Sequence, residues 1–409
     1  MRIPGKWLTA GGLAVALATV MPTMATAAGG RPTAAGGWPS AAGGRPTAAG
    51  GRAAGRAVAT RSGVNESGLP GGLASLSPQQ LAGQRVIYSY SGLTPPASLI
   101  RLIKHGEAAG VIFFGQNISS KAQIANVIKQ LDQANASPLN PVQAPLLLMT
   151  DQEGGEVRRL PGRPYLSEKQ IGASSQAETL ATEAGQGAAS NLRSVGMNVN
   201  LAPVLDVYRK AGDFDDEFGR SYSKDPNVVS DLGSRMITAQ QAHGVAATAK
   251  HFPGLGAASA SQNTDVGPVR LNLSTDTLRT VDEVPFAAAV QAGVKLVMVS
   301  WAVYPSLGAR PAGLSPNVVQ GELRNRLHFT GVTITDALEA GALRAFGSTQ
   351  HRTLLAAIAG MDLMLCSAQS VTQGEDARAE LAADYTGGVL NGPNFLASVN
   401  RVIALRQSP

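Results

Sequence analysis

Asp151-Gln152-Glu153-Gly154-Gly155, Lys250-His251-Phe252-Pro253-Gly254 and the isolated Asp336 each follow a short apolar run, as does Asp206, the start of a fourth polar segment. Beyond Asp206 the chain carries Asp213, Asp215, Asp216 and Glu217 before Gly219-Arg220-Ser221-Tyr222. Carboxylates supply acceptors, Lys, Arg and His supply donors, and glycines let a ligand approach the backbone. Together they suit a polyhydroxylated, uncharged ligand. Each residue also has an ordinary structural reading: Asp151 as a loop cap, Glu153 as an ion-pair partner, Lys250 as a solvated charge, His251 as a packed imidazole. Asp336 could cap a helix beginning Ala337-Leu338. Four such clusters at four equivalent places favour a shared site.

The elements that must position them are read from hydrophobic runs. Eight β-rich segments stand at 85–90, 111–114, 146–150, 198–203, 246–251, 295–301, 331–335 and 361–366. Between them, 98–105, 121–134, 180–195, 228–242, 277–292 and 317–327 have helical spacing of apolar residues. Near-continuous apolar strands alternating with helices call for a parallel sheet covered on both faces. Eight of them predict an α/β fold, a single (β/α)₈ TIM barrel over 76–409, with the polar clusters at the C-terminal ends of its strands.

Composition narrows the remainder. The chain is 44% hydrophobic with a single cysteine, Cys366, which excludes wholesale disorder and an internal disulfide framework. The net charge of +6 belongs to the first 75 residues, where seven basic residues face one acidic residue, whereas the rest balances at 27 against 27. A nucleic-acid partner is therefore not expected. Residues 1–27 read as a signal peptide, with Arg2 and Lys6, an apolar run, and Ala25-Thr26-Ala27 as cleavage site. That run is too short and too broken by Gly11, Gly12 and Pro22 for a stable membrane span. Residues 28–75 contain a seven-residue repeat rich in Ala, Gly, Pro and Arg and read as a disordered linker. The expectation is a secreted protein, extracellular or cell-wall-associated, and monomeric. No zinc-ligand set, P-loop or Gly-x-Ser-x-Gly elbow is present, so no metal and no cofactor are expected.

The segments 150–159, 200–207, 219–226, 250–254 and 335–338 together resemble glycoside hydrolase family 3, in its single-domain, NagZ-like β-N-acetylglucosaminidase branch. The most specific are Lys250-His251-Phe252-Pro253-Gly254 and Asp151-Gln152-Glu153-Gly154-Gly155. The resemblance runs in family order over about 85–400. It implies that Asp336 is the nucleophile of a retaining glycosidase, and that Asp151, Arg220, Lys250 and His251 bind the hydroxyls of the sugar. Many members carry a second domain, but the 73 residues after Asp336 suffice only for the last strand and helices.

One departure stands out. The branch draws its general acid/base from an Asp-x-His pair in the loop after Lys-His-Phe-Pro-Gly, and those positions fall near Ser261 and Asn263 here. The loop instead offers Asn263-Thr264-Asp265. Asp265 takes the role, or Glu339 or another carboxylate does, or the barrel binds sugar and turns over poorly. The functional expectation is an exported β-N-acetylhexosaminidase that removes terminal N-acetylglucosamine from cell-wall or chitin-derived saccharides. The alternatives are a catalytically weak sugar-binding barrel and a β-glucosidase. Trp301 and Tyr304 could stack on the sugar or only pack.

Overall fold

The computed structural model describes residues 73–408; the expected signal peptide, and the expected linker up to 72, lie outside the described residues. Leu73 and Leu76 are buried in the core, so the packed body reaches back three residues before the expected boundary at 76. Ten strands follow in order: β1 Val86–Tyr88, β2 Gly110–Ile112, β3 Leu147–Thr150, β4 Gln152–Gly154, β5 Val157–Arg158, β6 Val199–Asn200, β7 Ala246–Phe252, β8 Leu296–Val299, β9 Val332–Thr335 and β10 Met364–Leu365. β4 and β5 form a separate antiparallel hairpin; the other eight make one sheet in the order β10-β1-β2-β3-β6-β7-β8-β9. All its pairings are parallel. A lone parallel bridge, Ile334 to Leu363, joins the two edges and closes the barrel. The eight expected strands are these eight.

Alternation along each strand divides the core. Ile87, Leu147, Met149, Val199, Leu296, Met298, Val332 and Ile334 point inward and fill the barrel. Val86, Tyr88, Leu148, Val297 and Val299 point outward to the helices. Both faces are dry, which is why the strands lack polar alternation. Helix Lys121–Asn135, capped by Ser120, buries Ile124, Val127, Ile128 and Leu131, the stripe its spacing demands. Each such aliphatic side chain contributes about 2 kcal/mol of transfer free energy.

The 277–292 segment is not one helix. A π-helical turn spans Leu278–Asp282, and an α-helix restarts at Val284–Gln291 with Pro285 in its first turn. Proline has no N–H to continue the earlier ladder, so the register changes there. Asn317–Arg326 is likewise π-helical. Helices Val371–Thr386 and Gly392–Gln407 complete the outer layer. Among the described residues no helix is long and apolar enough to cross a membrane.

At the N-terminal end of the barrel, buried Asp362 binds Arg324 at 2.6 Å, Arg401 at 2.7 Å and the Thr333 N–H at 2.9 Å. Burial opposes its charge, but the two arginines and these hydrogen bonds outweigh it and hold the carboxyl below its ordinary range. A folded-state pKa below the unfolded one stabilises at pH above the unfolded value, and that contribution is lost as pH falls through the folded value. Asp362→Ala is therefore expected to cost about 3 kcal/mol at neutral pH. Denaturant unfolding at pH 7 and pH 3 measures this, and an equal loss at both would contradict it.

Candidate active site

A cavity of about 450 Å³ opens at the C-terminal ends of the strands and is lined by residues from the polar clusters, among them Asp151, Arg220, Lys250, His251, Asp265 and Asp336. Its size suits a sugar ring. Asp151 follows β3 directly, and the β4–β5 hairpin then turns Glu153 inward. The turn requires glycine: Gly154 has φ 127°, and a Cβ there would stand 2.2 Å from the Leu166 carbonyl oxygen. Gln152, buried beneath, ties this hairpin to the next loop through the Leu160 and Arg163 carbonyls.

The cations come from two further elements. Arg220 grips Glu153 with two parallel bonds of 2.9 and 3.0 Å and reaches Asp215 at 3.1 Å. Lys250, near the end of β7, lies 2.8 Å from Asp151 Oδ1 and 2.7 Å from Glu153 Oε1. Burial favours neutral Glu153, yet Arg220 and Lys250 outweigh it and hold the carboxyl at about 2. Burial likewise opposes the Lys250 charge, and Asp151 with Glu153 outweighs it and raises the ammonium above its ordinary value. Lys250 is therefore an ion-paired donor, and the bland reading as a solvated charge does not hold. His251 donates from Nδ1 to Asp206 Oδ2 at 2.7 Å. Burial, then the Arg220 charge, push the imidazole down to about 4, so it is neutral at pH 7 and its Nε2 is an acceptor.

Asp336 stands at the tip of β9, half-buried, with Oδ1 accepting the Ala337 N–H at 2.7 Å. It caps no helix: residues 337–340 form a turn, and a 3₁₀ helix starts only at Gly341. This turn lets Glu339 face the cavity instead of projecting away. Both Glu339 oxygens are engaged, by Ser367 Oγ at 2.7 Å and Gln373 Nε2 at 3.0 Å.

Asp265 lies at the exposed mouth of the same cavity. Its N–H donates to Asn263 Oδ1 at 2.8 Å, and its carbonyl accepts the Gly341 N–H at 2.8 Å. The neighbouring Thr264 carbonyl accepts from Ala342 N–H, so this turn is pinned to the segment that follows Asp336. Asp336 is raised by burial and then by the Asp265 charge. Asp265 is raised chiefly by the protein mass around it, with Glu339 and Asp151 adding repulsion against the pull of Arg220 and Lys250. Asn263, one of the two positions where the family pair would stand, is spent on the turn.

Trp301 and Tyr304 pack and do not stack. Trp301 is fully buried and donates to the Ala337 carbonyl at 2.8 Å; Tyr304 donates to the Gly254 carbonyl at 2.8 Å. Both brace backbone beside the site. The cavity is also lined by Arg159, Phe214 and Phe218, which sequence reasoning did not single out. Arg159 lay within a quoted motif; the phenylalanines carried no sequence signal beyond being next to acidic residues. Asp206, Asp215 and His251 bring potential metal-ligand atoms within 4.8 Å of one another. Both Asp206 oxygens and Asp215 Oδ1 already accept N–H groups, and the Arg220 guanidinium bound to Asp215 would repel a cation.

A closed parallel barrel that sets two carboxyls beside a lysine, an arginine and a histidine in a sugar-sized cavity defines the class: a carbohydrate-cleaving barrel enzyme. The family is shown by comparison. The chain belongs to glycosyl hydrolase family 3, whose N-terminal domain model matches residues 80–405. An uncharacterized secreted glycosyl hydrolase of Arthroderma benhamiae is 48% identical over 326 residues, 80% of this chain and 92% of that protein. The structure of a family 3 β-N-acetylglucosaminidase from Paenibacillus sp. FPU-7 superposes with TM-score 0.76 at 33% identity. That match covers 82% of this chain and 63% of the Paenibacillus chain, so this chain spans just under two thirds of it. A β-N-acetylhexosaminidase structure from Beutenbergia cavernae gives TM-score 0.74 at 30% identity, over 81% of this chain and 99% of that one.

Proposed function

We propose that the chain is an exported, retaining β-N-acetylhexosaminidase that removes terminal N-acetylglucosamine from cell-wall or chitin-derived saccharides. The observation that supports this reading is that Asp336 and Asp265 line one cavity together with Asp151, Arg220, Lys250 and His251. In the first step, ionised Asp336 attacks the anomeric carbon while Asp265 gives its proton to the departing glycosidic oxygen. Loss of that proton, and of the negative charge on Asp336, leaves Asp265 ready to take a proton from water, which then releases the sugar with its original configuration. Asp151, Arg220, Lys250 and His251 hold the hydroxyls. Lys250 donates, neutral His251 accepts, and Glu153 anchors both cations from behind. Glu339, with both oxygens accepting hydrogen bonds, suits a wall residue better than a proton donor. The leader-like residues 1–27 and the secreted relative of A. benhamiae support export.

The test is release of nitrophenol from the β-N-acetylglucosaminide and the β-glucoside by the same preparation. A kcat/KM at least about tenfold higher on the acetylated substrate is expected, the discrimination that one well-placed polar group supplies. Equal or better turnover of the glucoside would replace this reading by the β-glucosidase. Binding of N-acetylglucosamine with no turnover of either would replace it by the sugar-binding barrel.

A further inference from the structure

Behind the cavity, outside its lining, Asp215 and Asp206 bring carboxyl oxygens within 4.8 Å of each other. Both are essentially inaccessible to solvent, at 1% and 0% exposure. Two ionised carboxylates this close and this deeply buried would repel strongly, so one of them carries a proton. The surroundings say which. Asp206 Oδ2 accepts the His251 Nδ1–H at 2.7 Å, and Oδ1 accepts the backbone N–H of Leu255 at 2.5 Å and of His251 at 3.3 Å. Asp206 is therefore saturated with donors, as an ionised carboxylate should be. Asp215 accepts at Oδ1 from Arg220 at 3.1 Å, while its buried Oδ2 has no donor facing it. An acceptor lone pair abandoned there would cost free energy, whereas a hydroxyl there would have Asp206 as its partner.

We propose that Asp215 is a buried carboxylic acid whose Oδ2–H donates to Asp206, making it a positioning residue for His251 and Arg220. The inference rests on the glycosidase reading only for what the two positioned residues do. Seen from the cavity, one chain of contacts then runs Lys250, Glu153, Arg220, Asp215, Asp206, His251, with donors and acceptors alternating at every link. The proton on Asp215 keeps Asp206 an acceptor, Asp206 keeps the His251 proton on Nδ1, and Nε2 is left as an acceptor for a sugar hydroxyl. It also lowers the charge imbalance of the buried cluster, in which Arg220 and Lys250 otherwise face Asp151, Glu153, Asp206 and Asp215.

Burial raises Asp206 too, to about 6, and Asp215 stands higher. Burial, then repulsion from Asp206, raise Asp215 to about 7, against the pull of Arg220 and His251 and with a smaller push from Glu153. The Tyr304 hydroxyl on the neighbouring segment is itself pushed up by burial and stays protonated. A folded-state pKa above the unfolded one means that the folded protein holds a proton the unfolded chain has released. Stability therefore falls as pH rises from the ordinary carboxylate range to about 7, then levels off.

Asparagine is the isostere of a carboxylic acid, with a donor toward Asp206 and an acceptor toward Arg220, but it cannot lose its proton. Melting temperatures of the full chain are to be compared for wild type, Asp215→Asn, Asp215→Ala and Asp206→Asn between pH 5 and pH 8.5. Asp215→Asn is expected to exceed wild type modestly at pH 5 and by a wider margin at pH 8, and both Asp215→Ala and Asp206→Asn to melt lower throughout. N-acetylglucosamine affinity, by calorimetry, should stay within about threefold of wild type at pH 6 in Asp215→Asn and fall by about tenfold in Asp215→Ala. Above pH 7 wild-type affinity should weaken while that of Asp215→Asn stays level. Tolerance of Asp206→Asn with damage by Asp215→Asn would place the proton on the other carboxyl and overturn the proposal. So would an unchanged pH slope of melting in Asp215→Asn. Absence of sugar binding in every form would count against the glycosidase reading, and the melting curves would still decide where the proton lies.

Discussion

Asp336→Gly is expected to lower kcat on the N-acetylglucosaminide by roughly 10³-fold or more, and added azide to restore part of the rate as the α-glycosyl azide. The variant removes the only group at the tip of β9 that can bond to the anomeric carbon, leaving a space on that face of the sugar. Azide entering that space attacks where Asp336 would have attacked, while Asp265 still protonates the leaving oxygen. A single displacement inverts the centre, hence the α product. Nuclear magnetic resonance of the product reads the anomer directly. Wild-type activity in this variant, or a β-azide, would remove Asp336 from the nucleophile's role.

Asp265→Asn separates proton donation from attack. A substrate whose alcohol leaves poorly should lose about 10²–10⁴ in kcat/KM, while a dinitrophenyl glycoside, whose leaving group needs no proton, should form the glycosyl-enzyme almost as fast as wild type. The pH profile has one expected change. Asp265 acts in its protonated form, and its pKa is raised, so wild-type activity falls as pH rises through that raised value; in the variant this limb disappears. Asp336 would act ionised while Asp265 is protonated and uncharged, so replacing Asp265 by neutral asparagine should leave the acidic limb where it is. An unchanged profile on both substrates would return the role to Glu339 or another group.

The barrel was legible because each strand is buried on both faces and so reads as an unbroken apolar run, set off by helices with a one-sided stripe. Asp151, Arg220, Lys250, His251, Asp265 and Asp336 were nameable from motif and spacing, and the structure brings all six to one cavity. Their roles remain those proposed. What the sequence hid depends on contacts between distant segments. Nothing local says that Trp301 spends its indole N–H on the Ala337 carbonyl, or that residues 337–340 turn instead of starting a helix. The π-helical register before Pro285 was missed because apolar spacing hardly distinguishes it from an α-helix. The Asp215 pairing needed three dimensions as well: one acidic residue in a run of four looks like its neighbours until Oδ2 is found without a donor.

The Ile334–Leu363 bridge has a consequence for how an active molecule comes into being. Asp336 sits on the strand that borders this seam, and its other neighbour in the barrel, the two-residue β10, is the last strand to be synthesised. β10 must also pair with β1, where Val86 meets Met364 across almost the whole length of the body. Contacts so far apart in sequence form late, because loop-closure entropy is met before they are rewarded. A growing chain can thus assemble most of the cavity's rim, from β3 to β9, and still hold Asp336 on an unclosed edge.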